Sequence, residues 1–239
     1  MFESLLYAHE YPVGKDIVLN IPTVGEILDN GLAYSKMLDL FTSKPIDYMV
    51  ALDDAGVDFT KITDWELFIT LATRMQSVGI DSSILFNNVD LNNFVFVEPE
   101  VIDGSISWLD TKTGCVIDEK LYRHISEAIC LITGCTVNDK KPANEAARTY
   151  MIEVERRKMK RRKRKRTSTG LETLIVALVN TSEFKYDYES VRNLTIYQFN
   201  ESVRQIMKKT AVDYRMHGVY SGTVDVDKLG KDDLNWLVH

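Results

Sequence analysis

The chain has 239 residues, 45% of them hydrophobic and 27% charged, with a formal net charge of −6. This length suits one large domain or two small ones, and the balance is that of a globular chain able to bury a core without disulfide staples. Its three cysteines, Cys115, Cys130 and Cys135, are too few for a disulfide framework and fit free thiols in a reducing compartment. No basic stretch followed by an apolar one opens the chain, so no signal peptide is expected. No apolar run approaches the roughly 20 residues of a membrane span, so a cytoplasmic product is expected.

Asp16 to Ile21 reads as a short strand stopped by Pro22. Thr23 followed by Glu26 is a capping-box pattern, in which the hydroxyl accepts from the backbone and the carboxylate reaches back. Ile27, Leu28, Leu32, Met37, Leu38 and Phe41 then recur at helical spacing, broken by Gly31. Pro45 opens another helix with Tyr48, Met49 and Leu52 on its apolar face, ending near Gly56. Thr63 and Glu66 repeat the capping box and start an amphipathic helix through Leu67, Phe68, Leu71 and Met75, stopping near Gly79.

The middle of the chain changes period. Asn92 to Glu98 and Ser105 to Asp110 look like strands, and Thr111 to Gly114 is a turn after which Cys115 to Ile117 pairs back. Asp118 caps a helix through Leu121, Ile125, Ile129 and Ile132, ended by Gly134. From Ala143 a long helix is predicted, with Ala147, Tyr150, Met151 and Val154 on one side and a cationic far half. Leu171 to Val179, Tyr186 to Arg192 and Thr195 to Tyr214 read as three further helices. The tail carries Leu234, Trp236 and Leu237 as an apolar hook.

The fold expected is α+β and predominantly α-helical, with helical N- and C-terminal parts, a small antiparallel β-meander between them and a long basic helix or connector. The divisions fall at 1–90, a helical domain with one strand; 91–142, the meander plus helix; 143–170, the connector; and 171–239, a helical domain with an extended tail.

Recognised catalytic patterns are missing: no phosphate-binding glycine loop, dinucleotide fingerprint, nucleophile elbow or zinc-protease histidine pair occurs. Cys130 and Cys135 with His124 form one loose group, whereas structural zinc needs paired short knuckles. Inert thiols near a helix end are the expectation. Asp53, Asp54 and Asp58, like Asp225 and Asp227, read as solvated acidic turns rather than calcium loops. No enzyme activity, cofactor or metal is expected.

The departure from ordinary composition is the basic segment. Arg156, Arg157, Lys158, Lys160, Arg161, Arg162, Lys163, Arg164, Lys165 and Arg166 are interrupted only by Met159. The rest of the chain is strongly acidic, with 35 Asp and Glu against 19 Lys and Arg. Like charges at helical spacing repel by a few tenths of a kcal/mol per pair, so this half should fray unless an acidic partner lies against it. Four uses fit: docking on an acidic protein neighbour, binding nucleic acid with steep salt dependence, nuclear targeting in a eukaryotic host, and an anionic membrane surface. The segment has no interleaved aromatics or leucines, which argues against base stacking and against a membrane. Phe184, Tyr186, Tyr188, Tyr197 and Phe199 either fill a core or form an interface cluster. Phe199 is expected in the core, and Tyr186 and Tyr188 remain open. Trp236 and Leu237 either pack on their own chain or insert into a neighbour.

Ile21 to Ile27 and Ile62 to Phe68, with Leu194 to Phe199, Gly218 to Gly222 and Leu234 to Trp236, resemble patterns in tail and baseplate proteins of phages of Gram-positive bacteria. The broad comparison is with hub-assembly and tail-chaperone proteins. The resemblance implies a structural component or assembly factor, made in the host cytoplasm and placed in the tail or baseplate. Other tail proteins would be its partners in a multi-subunit complex. The alternative from the residues is a nucleic-acid-binding protein using the 156–166 arm.

Overall fold

The computed structural model describes residues 4–79, 81–97, 106–136, 138–162 and 170–237. It is 56% helical, and the described residues form eight α-helices and two small antiparallel sheets, which is the expected α+β, predominantly helical class. The chain divides into two compact units. The first comprises residues 1–22 and 26–167, and the second 23–25 and 168–239. The stretches 1–22 and 26–142 therefore lie in one unit together with most of the connector, and the C-terminal helices lie with residues 23–25 in the other.

In the first unit β1 (Glu10–Val13) and β2 (Ile17–Asn20) form a hairpin with Val13 opposite Ile17. The strand predicted at 16–21 is β2, while β1 escaped the sequence reading. It is four residues long and contains Pro12, which on sequence alone argues against a strand. Pairing with β2 decides the matter. The far edge of β2 is lined by the irregular segment 82–89: Asn20 N–H donates to the Leu85 carbonyl at 2.8 Å, and Leu19 bridges Phe86. Leu19, Leu85 and Phe86 are all buried.

Helix α1 (Val24–Asp29) is followed by α2 (Gly31–Thr42), so the break predicted at Gly31 falls between two helices. Pro45 opens a 3₁₀ turn rather than an α-helix. The α-helix itself, α3, is only Met49–Asp54, and Gly56 with φ 73° follows its end. Helix α4 (Asp64–Gln76) starts from the predicted capping box: Glu66 N–H donates to Thr63 Oγ1 at 3.1 Å and Thr63 N–H to Glu66 Oε2 at 2.8 Å. Two of the orphan donors of a helix start are thereby satisfied.

Strands β3 (Phe94–Val97), β4 (Ser107–Asp110) and β5 (Val116–Ile117) form the predicted three-stranded meander in the order β3-β4-β5. Residues 92 and 93 belong to a 3₁₀ turn, and Glu98 and Ser105, also expected in strands, lie outside the described residues. Helix α5 (Glu119–Thr133) is capped by Asp118, which accepts from Leu121 N–H at 2.7 Å, and ends at Gly134 in the left-handed conformation. Its buried face is Tyr122, Ile125, Ser126, Ala128, Ile129 and Ile132, so Tyr122 rather than the expected Leu121 leads it. Helix α6 (Glu145–Arg162) starts two residues later than predicted, where Asn144 Oδ1 accepts from Ala147 N–H at 2.9 Å.

The core of this unit is a string of rings. Phe68 of α4 lies 4.5 Å from Tyr122, 5.1 Å from Trp65, 5.4 Å from Phe41 and 5.4 Å from Trp108, centroid to centroid. Phe41 also meets Phe86 at 5.2 Å, and Trp108 meets Phe94 at 4.8 Å. One side chain on α4 thus ties together α2, α5 and the meander. Edge and tilted contacts of this kind add to the area they bury.

In the second unit α7 (Gly170–Val179) precedes α8 (Ile196–Tyr220), the longest helix described. Thr195 caps α8 by accepting from Gln198 N–H at 3.2 Å while Gln198 Oε1 accepts from Thr195 N–H at 3.0 Å. The helix predicted at Tyr186–Arg192 is not formed. Asp187 Oδ1 takes Glu189 N–H at 3.1 Å, Ser190 N–H at 2.7 Å and Ser190 Oγ at 2.6 Å, and only a 3₁₀ turn, Ser190–Asn193, follows. Local side-chain bonds have outcompeted the helix. Val24 is fully buried here, its N–H donating to the Leu194 carbonyl at 2.8 Å, and Thr23 bridges Thr195.

Phe68→Ala is expected to destabilise the first unit by about 3–5 kcal/mol, as truncation of a buried ring does. Thr63→Ala should cost about 1 kcal/mol through the lost cap. Denaturant titration followed by tryptophan fluorescence reads both, since Trp65 and Trp108 sit in the ring cluster.

Candidate functional site

The basic segment begins on a helix that is anchored by its own first turns. Ile152 of α6 is buried with Ile46, Met49, Val50 and Phe59, and Met151 packs beside them. Four residues to either side lie Arg148 and Arg156, so the three share one stripe of the helix. Arg148 meets Asp58 at 3.2 Å, and its Nε donates to Glu145 Oε2 at 3.0 Å. Arg156 spans Asp53 at 2.8 Å and Asp54 at 2.6 Å. The acidic corner at the end of α3, expected to be solvated, is therefore the counterpart of the first basic residue of the run. Tyr150, predicted on the apolar side, is exposed instead.

Charge decreases in use along the helix. Arg157 pairs with Glu153 at 3.2 Å and Lys158 with Glu155 at 3.1 Å, both within α6. Lys160 and Arg161 are exposed and have no acidic partner among the described residues. The backbone of Arg162 closes the helix. Lys163, Arg164, Lys165 and Arg166 lie outside the described residues. The negative end of the helix dipole favours cations at this end, which offsets part of their repulsion.

Electrostatics in this region come mainly from hydrogen bonds. The Asp58 carboxyl is held below its usual range by the Thr60 hydroxyl and amide and then by Arg148. The Arg156 guanidinium is pushed up by its bond to Asp54 and by the charges of both aspartates. With a depressed carboxylate, the stabilisation is present at neutral pH and is lost as pH falls through the folded-state value.

A cleft of about 680 Å³ opens beside this region, lined among others by Lys44, Asp64, Trp65, Tyr122, Arg123 and Arg148. Its charged groups are largely paired with one another: Lys44 with Asp64, Arg123 with Glu119, and Arg148 with Glu145 and Asp58. Among the described residues no three His, Cys, Asp or Glu side chains come together as a metal site. No described helix is long and apolar enough to cross a membrane.

The aromatic candidates lie in the second unit. Phe199 is fully buried and meets Phe184 edge-on at 6.4 Å, so these two fill the core. Tyr186 contacts Phe184 at 5.3 Å yet is 40% exposed, and Tyr188, whose hydroxyl oxygen lies 3.2 Å from Asn180 Nδ2, is 54% exposed. The tail returns along α8. Thr223 and Val224 N–H donate to the Gly218 carbonyl at 2.9 and 3.0 Å, Arg215 reaches the Asp233 carbonyl at 3.0 Å, and Gln205 donates to the Trp236 carbonyl at 2.6 Å. The hook is strapped to its own chain through its backbone, while the Trp236 and Leu237 side chains stay half exposed. A Cβ on Gly218 would stand 2.6 Å from Val224, so this glycine is what lets the tail turn back.

Sequence reasoning overlooked a further feature. Met207, Tyr214 and Tyr220 of α8 are 67%, 74% and 80% exposed. With Leu174, Val176, the two tyrosines and the tail, the second unit carries half of the large exposed hydrophobics of the described chain in less than a third of its length. The signal available was the interruption of the apolar period of α8 after Ile206.

The structure defines a mainly helical protein with an anchored cationic helix in one unit and a concentration of exposed apolar side chains in the other. Residues 161–239 are similar to the family model described as the YomV second domain, YomV being a protein of a Bacillus phage region. The matched stretch begins close to the start of the second unit at Ser168. No curated protein and no solved structure matches the chain.

Arg156→Gln is expected to leave global stability nearly unchanged, because Asp53 and Asp54 are both more than a third exposed and solvent screens the pairs. It should nevertheless speed amide hydrogen exchange along 157–162, where the ties to Asp53 and Asp54 are lost. Gly218→Ala should detach the tail, read as faster proteolysis after Ser221 with the helical signal of α8 unchanged.

Proposed function

We propose that the chain is a structural component or assembly factor of a phage tail or baseplate, working through protein–protein contacts in a multi-subunit complex and catalysing no reaction. The observation that carries this reading is the exposed apolar surface of the second unit. Tyr186, Tyr188, Met207, Tyr214, Tyr220, Trp236 and Leu237, with Leu174, Val176 and Leu234, are exposed in a unit whose core is filled by Phe184, Val191, Leu194 and Phe199. Isolated exposed hydrophobics are ordinary, but such a concentration marks a surface that is covered in the working assembly. The match of this unit to a phage-region family and the resemblance of its motifs to tail proteins support the same reading.

In this proposal the basic arm docks on an acidic neighbour. Arg156 bound to Asp53 and Asp54 is the intramolecular example of that contact. Lys160 and Arg161 beyond it would extend the same pairing to another chain, steering association over a distance of about a Debye length.

Size-exclusion chromatography with light scattering, on the chain alone and mixed with the products of the genes flanking its own, tests this at about 0.15 and 0.5 M salt. A defined complex that survives the higher salt is expected, and Tyr214→Ser with Tyr220→Ser should weaken it. A lone monomer that carries nucleic acid at low salt and sheds it at high salt would overturn the proposal in favour of the cationic arm as a nucleic-acid binder.

A further inference from the structure

Three helices of the first unit begin at the cleft of about 680 Å³. Asp64 and Trp65 open α4, Glu119 opens α5 and Glu145 opens α6, and all four residues line it. The caps are alike in what they leave over. Thr63, Asp118 and Asn144 each accept from the amide three residues on, those of Glu66, Leu121 and Ala147. The amides in between have no partner within an α-helix. Those of Asp64, Trp65, Glu119 and Glu145 meet no other acceptor among the described residues.

Side chains of the cleft wall enlarge this surplus of donors. Trp65 is 6% exposed, and its indole N–H is buried with no acceptor among the described residues. Ser126 is 8% and Tyr122 4% exposed, and neither hydroxyl makes a hydrogen bond among the described residues. The carboxylates of the cleft are mostly spent: Asp64 on Lys44, Glu119 on Arg123 and Glu145 on Arg148. Lys140 and Lys141, which also line the cleft, have no acidic partner among the described residues, and Asp139 has no basic one. Two lysines against one aspartate leave a positive charge over, beside the positive ends of three helix dipoles. Pro45, Ile46 and Phe59 add an apolar part to the lining.

We propose that this cleft is a binding site for a phosphate monoester of a small organic molecule. An oxyanion is the group that satisfies many donors at once, and a phosphate brings three acceptor oxygens and a charge of about −2. A carboxylate, with two oxygens and a single charge, meets fewer of them. Lys140, Lys141, the Ser126 and Tyr122 hydroxyls and the open amides of the helix starts supply the donors. Amides at helix starts are a ready anion cradle, and lysines add charge to it without fixing its geometry. The space exceeds what a bare phosphate fills and is that of a small-molecule site, so the organic body rests against Ile46 and Phe59. Binding here involves no reaction and is independent of the tail-assembly reading.

Isothermal titration calorimetry of the full chain with inorganic phosphate, adenosine monophosphate and glucose 6-phosphate tests this. At least one ester is expected to bind about tenfold or more tighter than inorganic phosphate, and the tighter of the two tells whether the body is a nucleoside or a sugar. Lys140→Ala with Lys141→Ala should weaken that ester by about tenfold or more, and Ser126→Ala by a smaller factor, with circular dichroism unchanged. The basic arm also attracts phosphate, but Lys160→Gln with Arg161→Gln should leave the affinity as it was. No binding of either ester at millimolar concentration would overturn the proposal. So would binding no tighter than that of inorganic phosphate, or binding that the arm variant removes and the cleft variants leave intact.

Discussion

The first unit depends on where Phe68 sits. It lies on the face of α4 that meets α2 through Phe41, α5 through Tyr122 and the meander through Trp108. These elements come from three separate stretches of chain, and none could bury its apolar face without the others. The meander is too small to stand alone, since three short strands need a helical layer against one face. The α2, α4 and α5 helices supply that layer, and the aromatic string fixes their spacing. The hairpin β1–β2 joins the same core through Phe86, which touches both Phe41 and the bridge to Leu19.

The basic segment is intelligible only from that base. A helix whose far half is cationic has little reason to persist in water, and its hydrophobic content is modest. What holds it is a single stripe in which an apolar contact, Ile152, lies between two arginines with acidic partners contributed by the chain around α3. Surface pairs of this kind are individually weak. Here they act beside a buried residue, so their geometry is maintained by packing and not by electrostatics alone.

How far the sequence foretold this depended on whether a signal was local. The capping box at Thr63, the cap at Asp118, the turn at Thr111–Gly114 and the stop at Gly134 are each settled within a few residues, and they appear as read. The hairpin partner β1 and the ordered segment around Leu85 are fixed by neighbours distant in the chain, and neither has a pattern of its own. At Tyr186–Arg192 the apolar content suggested a helix, but Asp187 and Ser190 offered the backbone closer partners. Of the candidate interaction residues, the composition of the basic run was plain, whereas the pairing of Arg156 with Asp53 and Asp54 spans about a hundred positions and has no sequence signature. The exposure of Tyr214 and Tyr220 was hidden because an aromatic on a helix is usually core.

The returned tail has a geometric consequence. Folded back along α8, a helix about 37 Å long, the stretch from Ser221 to Leu237 is held by a few polar ties, those of Gln205 and Arg215 among them. Drawn out, the same stretch would extend on the order of 55 Å, farther than the helix that now shelters it. Its apolar end, Trp236 and Leu237, is thus held near α8 on a tether longer than the helix, so loss of the Gln205 and Arg215 ties would free the two side chains to sweep well beyond the end of α8.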